Sequence, residues 1–518
     1  MSGKSPKEKC QTAGRGVLIF AGILVLACCG CGDTLGLMNA NQQDGNAPPA
    51  IAEKPGDARA ENRSLIGALR SQIETMDGLG EQSDELLQSL DDAEKVLTQI
   101  RRENRVALEN ANRQVRVHNS GRSPNIVLIV APRLGWGDLG AYAQTKIPTP
   151  HLDSLAKRGT VFTDFYAGAP SIAGSHWTLH TGYTANRSDA NFVIPDKICT
   201  LGETLWQGGY HTGFFGMWLA PPQASAEETP LEHGFDVWSG QLHAEAAKVM
   251  FPKTFWVNED RVQLPKTEKP VDAGDLTVQA AIKEIQRGTS LNRPFFIMVV
   301  LPPYIEIAED FADENLTDKT DWPKTAQSYG AAVRMTDRDV GRILAALEVS
   351  NLTSRTGVFF TALTGVDDSL RSATEYFQST GPFRTHKSTL GEGNLRVPFI
   401  ASFPGRFPID RRVATPAAMW DLLPTFAHLT YTQMYRQRFD GVSLMPVIKS
   451  DETLPPRLLY WQTPDSKAQA ARWSEWKGLK SAGVSALDLY NLTTDPAETK
   501  NVSAEHPEIV RQMVKPAD

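Results

Sequence analysis

The chain has 518 residues, 41% of them hydrophobic and 8% aromatic, and a formal net charge of −7. That length exceeds one ordinary domain and suffices for a large buried core. The negative balance excludes general nucleic-acid binding, which needs a basic face.

Residues 1–27 read as a targeting segment. Lys4, Lys7, Lys9 and Arg15 precede the apolar run "GVLIFAGILVLA", too short to span a bilayer comfortably and about right for an export signal. Ala27 followed by Cys28 resembles a bacterial lipobox. The resemblance implies lipidation at Cys28 and a lipoprotein held on a membrane, facing the periplasm or the cell exterior; an uncleaved anchor is the alternative. Cys28, Cys29 and Cys31 cluster there, and Cys199 stands alone in the body of the chain. One thiol makes no internal disulfide and no metal-ligand spacing exists, so Cys199 is expected to be a buried small hydrophobe.

Residues 28–61, rich in Asn, Gln, Ala, Pro and Gly, are expected to form a disordered tether. Over 62–117, Ile66, Leu69, Ile73 and Met76 step by three and four, and the stepping resumes at Leu86, Leu90, Ala93, Leu97, Ile100, Asn104 and Ala107. That narrow seam predicts a helical coiled-coil segment, broken once at 78–80. It fits a helical hairpin, self-association with a second copy, or a solvated single-helix stalk.

From 123 the chain changes character. "PNIVLIV" (124–130) is a continuous apolar run, the mark of a buried parallel strand. "TPHLDSLAKRG" (149–159) is a helix bounded by Thr149–Pro150 and Gly159. Strand-like runs follow at "VFTDFY", "TGFF", "RPFFIMVV", "TGVFFTAL" and "VPFIAS", with helical patterns near 201–207, 275–287 and 328–348. The alternation predicts a doubly wound α/β sheet whose site lies in loops after the strand ends. "GAPSIAGSHWTLHTG" (168–182) is such a loop running into a helix, with Ile172 where a nucleophile would gain most from the helix dipole.

Eight strings occur in order: "PNIVLIVAPRLGWGDLG", "TPHLDSLAKRGTVFTDFYAGAP", "GYHTGFFGMW", "EHGFDVWSG", "LRVPFIASFPGRFP", "WDLLPTFAHLT", "FDGVSLMPVI" and "LDLYNLTTDPAETKNV". Together they closely resemble the sulfatase family of the alkaline-phosphatase-like superfamily, over roughly 123–508. The resemblance implies a sulfatase-like α/β domain (123–435) followed by a smaller C-terminal α+β subdomain (436–518) with a short antiparallel sheet.

What the resemblance implies for the site is read position by position. The family's Cys-x-Pro-Ser-Arg motif, whose cysteine becomes formylglycine, falls on Ile172, Ala173, Gly174, Ser175 and His176. The Asp-Asp and Asp-Asn pairs through which the family binds calcium fall on Pro132 and Arg133, and on Leu363 and Thr364. The Gly-Lys-Trp-His string falls on Gly216, Met217, Trp218 and Leu219, and Pro-His-x-Pro on Pro303, Tyr304, Ile305 and Glu306. One family position, Lys387 in "FRTHK", is retained. The expectation is a degenerate member with neither calcium nor formylglycine.

Several residues admit two readings. Ser171 is a substitute nucleophile or a helix cap. His176 and His180, four apart, are zinc ligands or core histidines with their hydrogen bonds satisfied, and the second reading is preferred. Asp138 is expected to shape its turn, Glu306 to be an isolated carboxylate, and 306–321 to be a solvated loop. Arg133 with Lys387 forms a cationic, ligand-binding pocket for a sulfate or carboxylate, or Arg133 pairs with an acid and plugs the cleft. The preferred function is a non-catalytic, lipid-tethered binding or assembly protein, with a sulfated or anionic glycan as possible partner. The alternatives are a sulfuric-ester or phosphoester hydrolase with non-standard residues, and a structural envelope protein that pairs through 62–117.

Overall fold

The computed structural model describes residues 123–513 apart from 189–191, 196–197, 221–228, 267–270, 292, 308–320, 386–389, 433–438 and 464–466; of the residues before 123 it describes 87–89 and 92. The targeting segment, Cys28, the tether and nearly all of the heptad seam therefore lie outside the described residues, as does Lys387. Residues 87–89 and 92 are helical, and Gln88 donates to Asp92 at 3.3 Å.

Sixteen strands carry the described fold. They are β1 (Asn125–Arg133), β2 (Thr160–Phe162), β3 (Phe165–Tyr166), β4 (His211–Met217), β5 (Val237–Gln241), β6 (Thr254–Val257), β7 (Asp260–Gln263) and β8 (Phe295–Val300). After them come β9 (Thr356–Thr364), β10 (Phe399–Ser402), β11 (Arg411–Val413), β12 (Ala417–Ala418), β13 (Leu459–Gln462), β14 (Gln469–Trp473), β15 (Trp476–Lys480) and β16 (Asp488–Asn491). Ten form one sheet in the order β11-β2-β10-β9-β1-β8-β4-β5-β6-β7. Its centre, β9-β1-β8-β4-β5, is parallel, and β10 runs antiparallel to both of its neighbours.

The predicted runs sit where their burial requires. Ile126 to Val130 and Phe295 to Val300 are fully buried, as strands covered on both faces must be. The principal helices are α1 (Pro150–Lys157), α2 (Ile172–Thr181), α3 (Leu201–Gln207), α4 (Ala273–Arg287), α5 (Lys324–Val349) and α6 (Leu422–Leu429). α1, α4 and α5 pack together, and α2, α3 and α6 form a second group. Thr200 opens α3 with a reciprocal capping box: its hydroxyl accepts from Glu203 N while the Glu203 carboxylate accepts from Thr200 N.

Two differences from the predicted elements have local causes. "VFTDFY" is two strands in two sheets, because the Asp164 carboxylate between them is held by Arg396 and Arg472 and breaks the run. Cys199 is half-buried rather than buried, with Sγ 3.6 Å from the Thr204 hydroxyl.

A four-stranded antiparallel sheet, β13-β14-β15-β16, follows the main domain. Its junction with the main domain is ionic and buried. Lys477 Nζ, fully buried on β15, lies 2.7 Å from Glu392 Oε1 and 3.9 Å from Glu498. Glu392 also pairs with Arg396, and Arg396 Nη1 reaches Asp164 at 2.7 Å. Arg472 Nη2 meets the other Asp164 oxygen at 3.2 Å, and its Nε donates to the Tyr166 hydroxyl at 2.9 Å. The Tyr166 hydroxyl in turn donates to Glu392 at 2.9 Å. Burial alone would raise the Glu392 carboxyl, but Lys477 and Arg396 hold it far below the usual carboxylate range.

Candidate functional site

The carboxyl ends of β1 and β9 lie side by side, with Arg133 in register with Thr364. Leu134 N donates to Thr364 O at 3.1 Å, and the Thr364 hydroxyl donates to Pro132 O at 3.3 Å, so the two strand ends are tied together. Leu363 is fully buried in the core. The Arg133 guanidinium leaves the sheet and places Nη1 2.7 Å from Asp367 Oδ2 and 3.3 Å from Gly365 O. The other Asp367 oxygen accepts from Ser369 N at 3.0 Å and from the Ser369 hydroxyl. Partial burial pushes the Asp367 carboxyl up, yet the Ser369 hydroxyl and the Arg133 charge together hold it below its ordinary value.

The segment 168–182 forms a turn and α2. Ser171 caps the helix, its Oγ accepting from Gly174 N at 3.1 Å. Ser175 Oγ accepts from Ala169 N and donates to Ala169 O, both at 2.9 Å, and Thr178 Oγ1 donates to Gly174 O at 2.9 Å. These three hydroxyls are thus engaged by local backbone. Ile172, the first residue of the helix, is half-buried against the main core. Gly182 closes α2 at φ 70°.

His176 and His180 face an aromatic cluster. Their ring centroids lie 4.4 Å apart and 4.9 and 4.8 Å from Trp218, with Phe214 and Phe235 around His180. Core placement is as expected; satisfied hydrogen bonding is not. His176 Nε2 and both ring nitrogens of His180 have no hydrogen-bond partner among the described residues, because the face that buries them is built from rings. Burial drives the His176 imidazole down to about 3 and His180 well below its ordinary value, with His233 adding to both. Among the described residues, no group of three or more His, Cys, Asp or Glu side chains could hold a metal ion.

Asp138 does more than shape a turn. Its Oδ2 accepts from Gly135 N at 2.6 Å and from the Tyr329 hydroxyl at 2.5 Å, pinning α5 to the loop after β1. Complete burial raises its carboxyl to about 7. Tyr304, where the resemblance expects a histidine, is buried and donates to Asp339 at 2.5 Å. Met217 and Trp218 are also buried. The Asp367 partner was invisible to sequence reasoning, since "GVDDS" carries no spacing that ties it to Arg133.

A calcium ion requires six to eight oxygen ligands, largely anionic. The four positions implied for it present a proline ring, a guanidinium, a leucine and one threonine hydroxyl already bonded to Pro132 O. This donor set does not fit a calcium ion. Ile172 likewise offers no sulfur or oxygen for oxidation to an aldehyde.

The family described as Sulfatase matches residues 124–432. The N-acetylgalactosamine-6-sulfatase of Canis lupus familiaris is 31% identical over 369 residues, covering 65% of this chain and 68% of that protein. Arylsulfatase G of Rattus norvegicus is 28% identical over 461 residues, covering 76% and 85%. Of solved structures, Ps i-CgsB in complex with k-i-k-neocarrahexaose superposes with a TM-score of 0.66 at 24% identity, covering 76% of this chain and 92% of that one. BT4656 with D-glucosamine-2-N,6-O-disulfate gives 0.59 at 16% identity, covering 76% and 97%. With its strand order, paired strand ends and capped turn in place, and with more than half its length matched, the chain belongs to the sulfatase family.

Proposed function

We propose that this chain is a sulfatase-family protein that binds sulfated or otherwise anionic glycans at a bacterial cell envelope and does not hydrolyse them. The observation that carries the reading is the Arg133–Asp367 ion pair at the ends of β1 and β9. The Arg133 side chain offers no oxygen ligand there, and the nearby Asp367 carboxylate is already engaged by it. With Ile172 at the turn, neither a nucleophile nor a metal clamp is supplied by the positions that supply them in the family. The glycan class is supported by two neighbours of this fold, one solved with k-i-k-neocarrahexaose and the other with its substrate D-glucosamine-2-N,6-O-disulfate. Lipidation at Cys28 would hold the protein on the membrane, and the 62–117 seam would set it off the surface or pair two copies.

Within this reading Arg133 is a plug, its charge neutralised by Asp367. Calorimetric titration of the purified protein with a sulfated galactan hexasaccharide is expected to give binding heat that Arg133→Ala leaves unchanged. Loss of binding in Arg133→Ala would place the ligand at the end of β1 and contradict the plug; absence of heat with the unmodified protein would contradict glycan binding itself.

A further inference from the structure

The ionic junction between the two sheets opens onto a cavity of about 280 Å³. Asp164, Arg396 and Arg472 form its charged floor, Phe383 and Leu492 wall it, and Thr493 stands exposed at its rim. At this size it sits at the small end of ligand sites and accepts one ring rather than a chain.

The charges of the junction do not balance. Arg396, Arg472 and Lys477 bring three cations, against the two carboxylates of Asp164 and Glu392. The third carboxylate, Glu498, is raised by burial to about 7, so it is only partly charged at neutral pH. The Asp164 oxygens that face the cavity are both committed, Oδ1 to Arg396 and Oδ2 to Arg472. Arg472 likewise spends Nε on Tyr166 and Nη2 on Asp164, with Nη1 3.5 Å from Trp476 O.

Arg396 is the exception. It is only 5% exposed, with Nε on Glu392 and Nη1 on Thr163 O and Asp164, while Nη2 makes no hydrogen bond among the described residues. The Phe383 ring lies 4.2 Å from the guanidinium carbon and fixes the plane of the group. A nearly buried guanidinium held flat, with its Nη2 uncommitted among the described residues and the Arg472 guanidinium beside it, has the chemistry that receives an oxyanion.

The geometry points to this cavity as a binding site for an oxyanion carried on a sugar ring, a sulfate ester or a uronate carboxylate, with Arg396 Nη2 as the donor and Phe383 and Leu492 against the ring. The oxyanion follows from the two guanidinium groups that line the cavity and from the uncommitted Arg396 Nη2; the sugar carrier rests on the reading of the protein as a glycan binder. The site is separate from Arg133 and linked to it by one hydrogen bond. Two residues beyond Phe383, Thr385 donates to Asp368 at 2.7 Å, next to the Asp367 partner of Arg133. One glycan lying over residues 383–385 would pass from one to the other.

The test uses the whole protein at low salt, titrated by saturation-transfer NMR with galactose 6-sulfate, glucuronate and galactose, with sodium sulfate added as a competitor. Because Arg396 is structural, the charge is varied at the exposed rim instead. At least one charged sugar is expected to bind, galactose to stay silent, and Thr493→Glu to weaken binding about five- to tenfold while Thr493→Lys tightens it. The tighter of the two charged sugars identifies the oxyanion. The inference is overturned if neither charged sugar binds, if Thr493→Glu leaves binding unchanged, or if sodium sulfate competes as well as both sugars, which would mean an adventitious ion only. Binding lost in Arg133→Ala but kept in Thr493→Glu would also overturn it, while leaving glycan binding by the protein intact.

Discussion

Lys477→Met is expected to destabilise the protein by about 3–5 kcal/mol, read as a fall in the urea midpoint at neutral pH. Lys477 is completely buried, and its ammonium sits 2.7 Å from a Glu392 oxygen that is itself completely buried. Methionine fills much of the same volume, so the loss comes from charge and not from a cavity. Glu392 would keep Arg396 and the Tyr166 hydroxyl on its other oxygen, but Oε1 would lose its only charged partner among the described residues. Removing the carboxylate as well should recover part of the cost. Lys477→Met/Glu392→Gln is therefore expected to be less destabilised than the sum of the two single variants, the signature of a coupled pair. Additivity within a few tenths of a kcal/mol would show that the junction is held by packing alone.

His180→Leu is expected to do the opposite. The native imidazole is fully buried with neither nitrogen partnered among the described residues, which costs about 1–3 kcal/mol relative to a group without that need. Leucine, of similar volume and apolar, removes the cost among Trp218, Phe214 and Phe235. The variant should be the more stable at pH 7, and its advantage should widen in acid. The folded pKa of His180 lies well below the unfolded value near 6.5, so below that pH the unfolded chain takes up a proton that the folded chain refuses. Stability of the native protein from this group therefore falls as pH drops, by about 1.4 kcal/mol per unit, until the folded pKa is reached. His176 on the same helix, also lowered by burial, adds its own contribution in both proteins, so the comparison reads position 180. Asp138 and Glu498, whose folded values are raised to about 7, act with the opposite sign, being stabilising in acid and losing that stabilisation as pH rises toward 7. For that reason the difference between the two proteins, and not the profile of either, is the quantity to measure. A constant gap from pH 7 to pH 5 would contradict the burial argument.

Much of the fold was legible because its central strands are buried on both faces and so write themselves as unbroken apolar runs. β1, β8 and β9 follow "PNIVLIV", "RPFFIMVV" and "TGVFFTAL" closely, and α3 matches 201–207 residue for residue. The β6–β7 hairpin was not legible: "DRVQ" is exposed throughout and shows no apolar alternation, so only pairing to "TFWV" makes it a strand. The turn before α2 was readable as a cap because Ser171 and Gly174 are neighbours in sequence. The partners that decide the site are not neighbours. Arg133 and Asp367 are 234 residues apart, and Tyr329 meets Asp138 across 191. Spacing shows that His176 and His180 share a helix face; it does not show that the face would meet only rings.

The central claim is that the cleft at the ends of β1 and β9 cannot cut an ester. Its most direct test is release of the alcohol from an aryl sulfate by the purified protein with calcium supplied. The expected rate is that of buffer alone; turnover above it, proportional to protein and abolished by Ser171→Ala, would contradict the account.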